Sequence, residues 1–132
     1  MMFQIDQFQP GEAWIFFKLN SQLILTKDDG DFNVFCLMEA SSQFILATEF
    51  ISSESSELSQ IDVKRVFKNA LSHNQQMPEK ILISENMTEK ELIEETKRKG
   101  IDLISASEEA LAIFINEARS GFQQHVNAGM GQ

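Results

Sequence analysis

The sequence predicts an α/β protein in which a five-stranded mixed sheet carries helices on its faces. Three strand-length apolar runs come first and are separated by turn residues, which is the pattern of a meander. Residues 78–104 then show strand, turn, helix and strand patterns with almost no linking residues, as expected of a parallel βαβ unit. A final amphipathic stretch adds one more helix.

The first half of the chain contains the meander. Its strands are predicted where apolar and aromatic residues cluster, at residues 13–19, 32–39 and 44–51. Polar and glycine-containing segments at residues 27–31 and 40–43 separate these runs, and such residues favour turns and hairpin loops.

The second half alternates helices and strands. An apolar stripe predicts a helix over about residues 58–72, and Pro78 precedes the next strand, Ile81–Ile83. Thr88 and Glu91 have the spacing of a capping box, and Gly100 stands where a helix end favours positive φ. A further strand reaches about residue 104, and the last helix starts at Ser107. Two right-handed crossovers after the meander complete the sheet.

The length of 132 residues fits a single domain. Residues 13–126 are expected to form it, after an N-terminal arm or edge strand over residues 1–12. Residues 127–132 are expected to be a disordered tail.

Composition narrows the function classes. The chain has 11 Lys and Arg against 20 Asp and Glu, a net charge of −9, which argues against nucleic acid as a partner. No apolar run approaches the ~20 residues that span a bilayer. The single cysteine, Cys36, cannot form an internal disulfide, and the first ten residues lack a secretory pattern. We therefore expect a soluble, reduced, cytoplasmic protein.

Several segments together resemble a known family. Trp14 opens the first strand, residues 39–43 (EASSQ) form the hairpin, and Pro78 leads residues 81–87 (ILISENM). In this order, over about residues 13–122, they resemble the core domain of retroviral-type integrases and transposases, which has the ribonuclease H-like fold. The Pro-to-Gly-Ile segment is also similar to that of a group of small uncharacterised bacterial domains of comparable length.

The integrase resemblance implies a reaction that uses two divalent ions held by three carboxylates, one of them on the first strand. Here residues 14–19 contain no acid, and Phe17, Lys18 and Leu19 occupy that region. Lys18 would repel a metal, so no catalytic residue, cofactor or metal site is expected. If the chain is an enzyme after all, the Mg²⁺ or Mn²⁺ ligands would be Glu39, Glu85 and Glu117, with Glu108 and Glu109 also available for the third position.

Glu85 and Asn86 form a polar pair at the end of a predicted parallel strand. They are candidate ligand contacts, although a carboxylate beside a helix N-terminus is also a common structural arrangement. Glu39, on the neighbouring hairpin, is a candidate to approach them.

Two classes of function remain. The first is a non-catalytic interaction domain that self-associates, with a homodimer formed through the apolar N-terminal residues Phe3, Ile5 and Phe8; an arm folded on its own domain is the plain alternative. The second is a metal-dependent phosphodiester or nucleotide enzyme using the three glutamates. A weaker third hypothesis is a small-molecule sensor with a pocket above strands one and four.

Overall fold

The computed structural model describes residues 3–4, 6–20, 30–55 and 57–130. Its eight elements follow the predicted order. They are β1 (Ala13–Lys18), β2 (Phe32–Glu39), β3 (Ile45–Ser52), α1 (Gln60–Asn74), β4 (Lys80–Ser84), α2 (Lys90–Arg98), β5 (Asp102–Ala106) and α3 (Glu108–Met130). Ile5 and most of the predicted turn at residues 27–31 lie outside the described residues, and α3 continues beyond Val126 to Met130.

One mixed sheet has the strand order β3-β2-β1-β4-β5. β1, β2 and β3 form an antiparallel meander, whereas β1, β4 and β5 run parallel. The prediction of a five-stranded α/β fold is therefore confirmed. β1 lies at the centre because it is the most apolar strand, and its first five residues are all buried.

The strands bury both faces, and two core layers result. α3 covers one face with Ala110, Leu111, Phe114 and Ile115, which pack on Ile15 of β1. α1 and α2 cover the other face, where Phe67 and Leu92 pack with Trp14. Side chains of β1 alternate between these two layers, as the pleat of a strand requires.

Local capping differs from the prediction at one helix. α2 begins at Lys90, its N-cap is Glu89, and no side chain caps it, so the predicted capping box at Thr88 and Glu91 is wrong. A capping box does occur at the start of α1, where Ser59 and Asp62 bond each other's backbone amides. The predicted cap at Ser107 is confirmed, because its hydroxyl accepts a hydrogen bond from the Ala110 amide at 3.1 Å.

Candidate functional site

A cleft of about 360 Å³ opens at the edge of the sheet where β1 and β4 end. Lys18 and Ser84, the last residues of these two strands, both line it, and so does Glu108 at the start of α3. Parallel strands of an α/β sheet end at a crevice of this kind because the chain departs there in opposite directions. The volume lies at the lower end of the range typical of small-molecule pockets.

The floor of the cleft is apolar and is built from both core layers. The layer under α3 contributes Phe17, Leu111 and Ile115. The layer under α1 and α2 contributes Phe35, Ile51, Leu58 and Met87.

Lys18 supplies a cationic side chain to the lining of this cleft. Because Trp14 and Phe16 face the layer under α1 and α2, the alternation of β1 directs Lys18 to the same side. Its side chain is half-buried beside Phe35, its register partner on β2. Among the described residues, no carboxylate lies within 4.0 Å of its ammonium and no hydrogen bond to that group is present.

Arg119 closes the cleft on the side of α3. Its Nε donates a hydrogen bond to the carbonyl oxygen of Lys18 at 3.0 Å, and its guanidinium lies 5.6 Å from the ring centroid of Phe17. A terminal nitrogen lies 3.6 Å from Oε2 of Glu108. Arg119 therefore joins α3 to the end of β1, and its charge is balanced within the helix.

Acidic side chains also border the cleft. Oε2 of Glu89 accepts a hydrogen bond from the Leu58 amide at 3.1 Å, which ties the start of α2 to the segment before α1. Glu57, the neighbour of Leu58, is exposed and also lines the cleft. With Glu108, the lining includes three carboxylates against the two cations Lys18 and Arg119.

The structure separates the predicted ligand pair. Asn86 is exposed and lines the cleft, and its amide donates to the hydroxyl of Ser84 at 3.1 Å. Glu85 is exposed but does not line the cleft; its amide donates to the carbonyl of Ala106 at 2.7 Å. The role of both residues in ligand binding stays a prediction.

Glu39 cannot approach Glu85, so that interpretation is wrong. β2 is antiparallel to β1, and Glu39 pairs with Trp14 near the start of β1. β4 is parallel to β1, and Trp14 pairs with Ile81. Glu85 therefore lies four residues beyond that level, or roughly 13 Å along the sheet at about 3.3 Å per residue. The two carboxylates belong to opposite edges.

Glu39 instead holds the β2–β3 hairpin. It is only 6% exposed, and it accepts hydrogen bonds from the amides of Gly11, Ser41 and Ser42 at 3.3, 3.1 and 3.2 Å. The hydroxyl of Ser41 donates to it at 2.7 Å. Burial by itself raises the pKa of the Glu39 carboxyl, but these hydrogen bonds outweigh that effect and leave the pKa below its ordinary value.

Glu117 is exposed on α3 and borders a groove with Ser42 and Gln43 of the same hairpin. The structure thus leaves Glu85 apart from the two other glutamates of the predicted set. Within the described parts of the chain, no group of three His, Cys, Asp or Glu residues is arranged to hold a metal ion.

The N-terminal segment packs on its own domain. Phe3 and Phe8 are each 6% exposed, and their rings lie 5.8 and 5.9 Å from the ring of Phe114. Ile5 lies outside the described residues. The predicted homodimer through this segment stays a prediction, and it would require Phe3 and Phe8 to leave the core that they share with Phe114.

One further group bears on the chemistry of the chain. Cys36 is fully buried and burial raises the pKa of its thiol, so its reactive thiolate form is disfavoured. None of the helices in the described residues is long and apolar enough to cross a membrane.

Sequence reasoning missed Arg119, Glu57 and Glu89 as parts of a site. Arg119 reaches Lys18 across 101 positions of sequence, and Glu89 reaches Leu58 across 31. The available signal was topological: the carboxyl ends of both strands of the βαβ unit and of the first strand had to meet at one edge.

The fold is shared with retroviral integrase cores. The chain is similar to a chain of the simian T-cell lymphotropic virus intasome in complex with PP2A regulatory subunit B56 gamma (TM-score 0.58, 9% identity, 92% of this chain covered). It is also similar to the HTLV-2 integrase catalytic core domain in complex with magnesium, in a dimeric form (TM-score 0.54, 11% identity) and a trimeric form (0.55, 12%). Both alignments cover 88% of this chain.

This chain spans 42% of the intasome chain, and 69% and 68% of the two HTLV-2 chains. No family model and no curated protein sequence matches it. The resemblance to small bacterial domains therefore stays a prediction. At these identities the likeness establishes the architecture alone, and that architecture is the ribonuclease H-like fold.

Proposed function

We propose that this chain is a non-catalytic binding domain whose ligand or partner occupies the cleft at the ends of β1 and β4. One observation carries the proposal: Lys18 lines this cleft, and its ammonium has no anionic partner among the described residues. An unpaired, half-buried cation is stabilised by an anionic ligand and not by a metal ion.

The contrast with the integrase cores supports this proposal. Two of those cores are described as catalytic and in complex with magnesium. Where a first-strand carboxylate would stand, this chain has Phe17, buried under α3, and Lys18, directed into the cleft. Of the carboxylates at this edge, Glu108 lies beside Arg119 and Glu89 accepts from the Leu58 amide. Mg²⁺ demands closely placed oxygen ligands, and two of the three carboxylates of the cleft are engaged in these other contacts.

Thermal unfolding of the full chain with Mg²⁺ and Mn²⁺ tests the proposal. A metal at tenfold excess over its Kd stabilises the folded state by about 1.4 kcal/mol, which is several degrees in a domain of this size. We expect no such shift at millimolar metal, and no cleavage of oligonucleotides or of a chromogenic phosphodiester.

Two variants identify the source of any metal effect. Glu108→Gln removes a carboxylate from the cleft, and Glu117→Gln removes an exposed one from the same helix outside it. Stabilisation by Mn²⁺ that disappears in Glu108→Gln and persists in Glu117→Gln would overturn the non-catalytic proposal and favour the metal-dependent enzyme.

The proposed cellular setting is a reducing compartment. Cys36 is the single cysteine and is fully buried, which suits a reducing compartment such as the cytoplasm. Between the two surfaces that we considered for a partner, the cleft is better supported than the N-terminal segment, because Phe3 and Phe8 already pack on Phe114.

A further inference from the structure

We propose that the cleft binds a carboxylate with an apolar body, and that Lys18 is its counter-ion. This inference rests on the proposed function, because it takes the cleft as the binding site and names the chemistry of what occupies it.

The carboxylate is placed by Lys18. Lys18 pairs with Phe35 across the sheet, and Leu58 and Met87 also line the cleft, from the layer under α1 and α2. In such partly apolar surroundings a charged hydrogen bond to a carboxylate is stronger than the same bond in open water. Asn86 is exposed at the same edge and offers an amide side chain to the ligand.

The charged residues that line the cleft favour a ligand with a single negative charge. Glu108 is paired with Arg119, so Lys18 is the cation of the lining that has no anionic partner among the described residues, and Glu57 and Glu89 add negative charge to the same lining. Each additional negative charge on a ligand is therefore repelled, and a phosphate dianion is disfavoured relative to a carboxylate. The same repulsion, together with the net charge of −9, opposes a nucleic acid backbone.

The apolar floor of the cleft favours a ligand that has an apolar part. Phe35, Ile51, Leu58 and Met87 present hydrophobic surface around Lys18. The cleft of about 360 Å³ corresponds to roughly a dozen water volumes at ~30 Å³ each. An aryl-alkyl carboxylate such as 3-phenylpropanoate fits within that volume, and burial of its ring supplies the hydrophobic part of the affinity.

The test compares matched probes on the full chain by NMR titration. The probes are 3-phenylpropanoate, its neutral isostere 3-phenylpropanamide, and phenyl phosphate. We expect saturable shifts at the amides of Lys18, Phe35 and Met87 with the carboxylate, and at least 10-fold weaker binding of the two other probes. Lys18→Met keeps the apolar stem and removes the charge, and we expect it to weaken carboxylate binding at least 10-fold, or about 1.4 kcal/mol.

Lys64→Met is the control, because Lys64 is an exposed lysine of α1 outside the cleft, and it should bind the carboxylate like the wild type. A second arm separates two sources of the carboxylate. The capped dipeptide acetyl-Phe-Glu-amide competes with 3-phenylpropanoate if an acidic peptide is the source, whereas acetyl-Phe-Gln-amide does not. Competition by neither peptide indicates a free carboxylic acid, and both results support the inference.

The inference is overturned if no carboxylate binds, if the amide or phenyl phosphate binds as tightly, or if Lys18→Met binds unchanged. Shifts confined to residues outside the cleft would also overturn it. The comparison of acid with amide needs only the wild type, so it holds even if a variant folds poorly. The metal titration is a separate experiment, and a failed carboxylate titration does not alter its result.

Discussion

Replacing Glu39 with glutamine should destabilise the fold by about 2–3 kcal/mol at neutral pH. Oε2 of Glu39 accepts from the amides of Gly11 and Ser41, and Oε1 accepts from the amide of Ser42. Glutamine has one oxygen, which we expect to remain on the side of the two amides. The NH₂ group then faces the Ser42 amide and leaves a part-buried donor unpaired, at about 1–3 kcal/mol, and the remaining bonds lose their charge.

The direction of the pKa shift of Glu39 determines how this destabilisation depends on pH. The pKa of Glu39 in the folded protein is below the ordinary value of 4.5, so the ionised carboxylate stabilises the folded state. That stability is fully present above pH 4.5 and is lost as the pH falls through the lower folded value. Glutamine does not titrate. The difference between wild type and Glu39→Gln should therefore be constant near neutrality and should shrink below pH 4.5.

Urea unfolding followed by tryptophan fluorescence measures this difference. Trp14, the single tryptophan, is fully buried and pairs with Glu39 across the sheet. Glu117→Gln is the matched control; its carboxylate is exposed on α3, and the change should alter stability by less than about 0.5 kcal/mol. The reasoning would be refuted if Glu39→Gln and Glu117→Gln were equally stable at pH 7. It would also be refuted if the stability difference between the wild type and Glu39→Gln grew as the pH fell.

Three further substitutions test the packing of two aromatic side chains and the backbone conformation of residue 100. Phe3→Ala should destabilise the protein by about 3 kcal/mol in thermal unfolding, because it uncovers Phe114; a loss that depends on protein concentration would instead favour pairing between chains. Trp14→Phe should change stability by less than about 1 kcal/mol by circular dichroism, because it removes a buried indole N–H that has no partner among the described residues; a loss of 3 kcal/mol or more, as for truncation to Ala, would contradict this. Gly100→Ala should lower stability by about 1 kcal/mol on urea unfolding, because residue 100 has φ of +72° while no atom lies within 4 Å of an added Cβ; an unchanged midpoint would contradict this.

The order of elements could be predicted because it depends on local patterns. The clustered apolar and aromatic residues of the three meander strands and the proline ahead of Ile81 identify strands without knowledge of the fold. The positive φ at Gly100 could also be predicted from the local sequence, and it is confirmed at +72°. Strand boundaries moved by one or two residues only, as at β4, which spans Lys80–Ser84.

The position of Glu39 was within reach of the predicted topology. A meander makes the second strand antiparallel to the first, whereas a βαβ crossover makes β4 parallel to β1. The end of β2 and the end of β4 therefore lie at opposite edges once both strands flank β1. Glu39 and Glu85 had to be separate for this reason.

Other features needed tertiary information. The spacing of Thr88 and Glu91 satisfies a capping motif, but Glu89 occupies the cap position and its carboxylate bonds the distant Leu58 amide. The motif is local, whereas the contact at this helix start joins segments 31 residues apart. The stacking of Arg119 over Phe17 is likewise invisible in a linear pattern.

The residues at the end of β1 support one another. Phe17 fills the layer under α3, and its ring lies below the guanidinium of Arg119, whose Nε bonds the carbonyl of Lys18. A carboxylate placed at position 17 would therefore meet Arg119 first and form an ion pair, since opposite charges at such distances attract strongly when partly buried. The ammonium of Lys18 would remain on the opposite side of the strand. The apolar residue at position 17, the guanidinium of Arg119 above it and Lys18 on the opposite side of the strand thus form one arrangement, and it is the arrangement on which the proposed anion site rests.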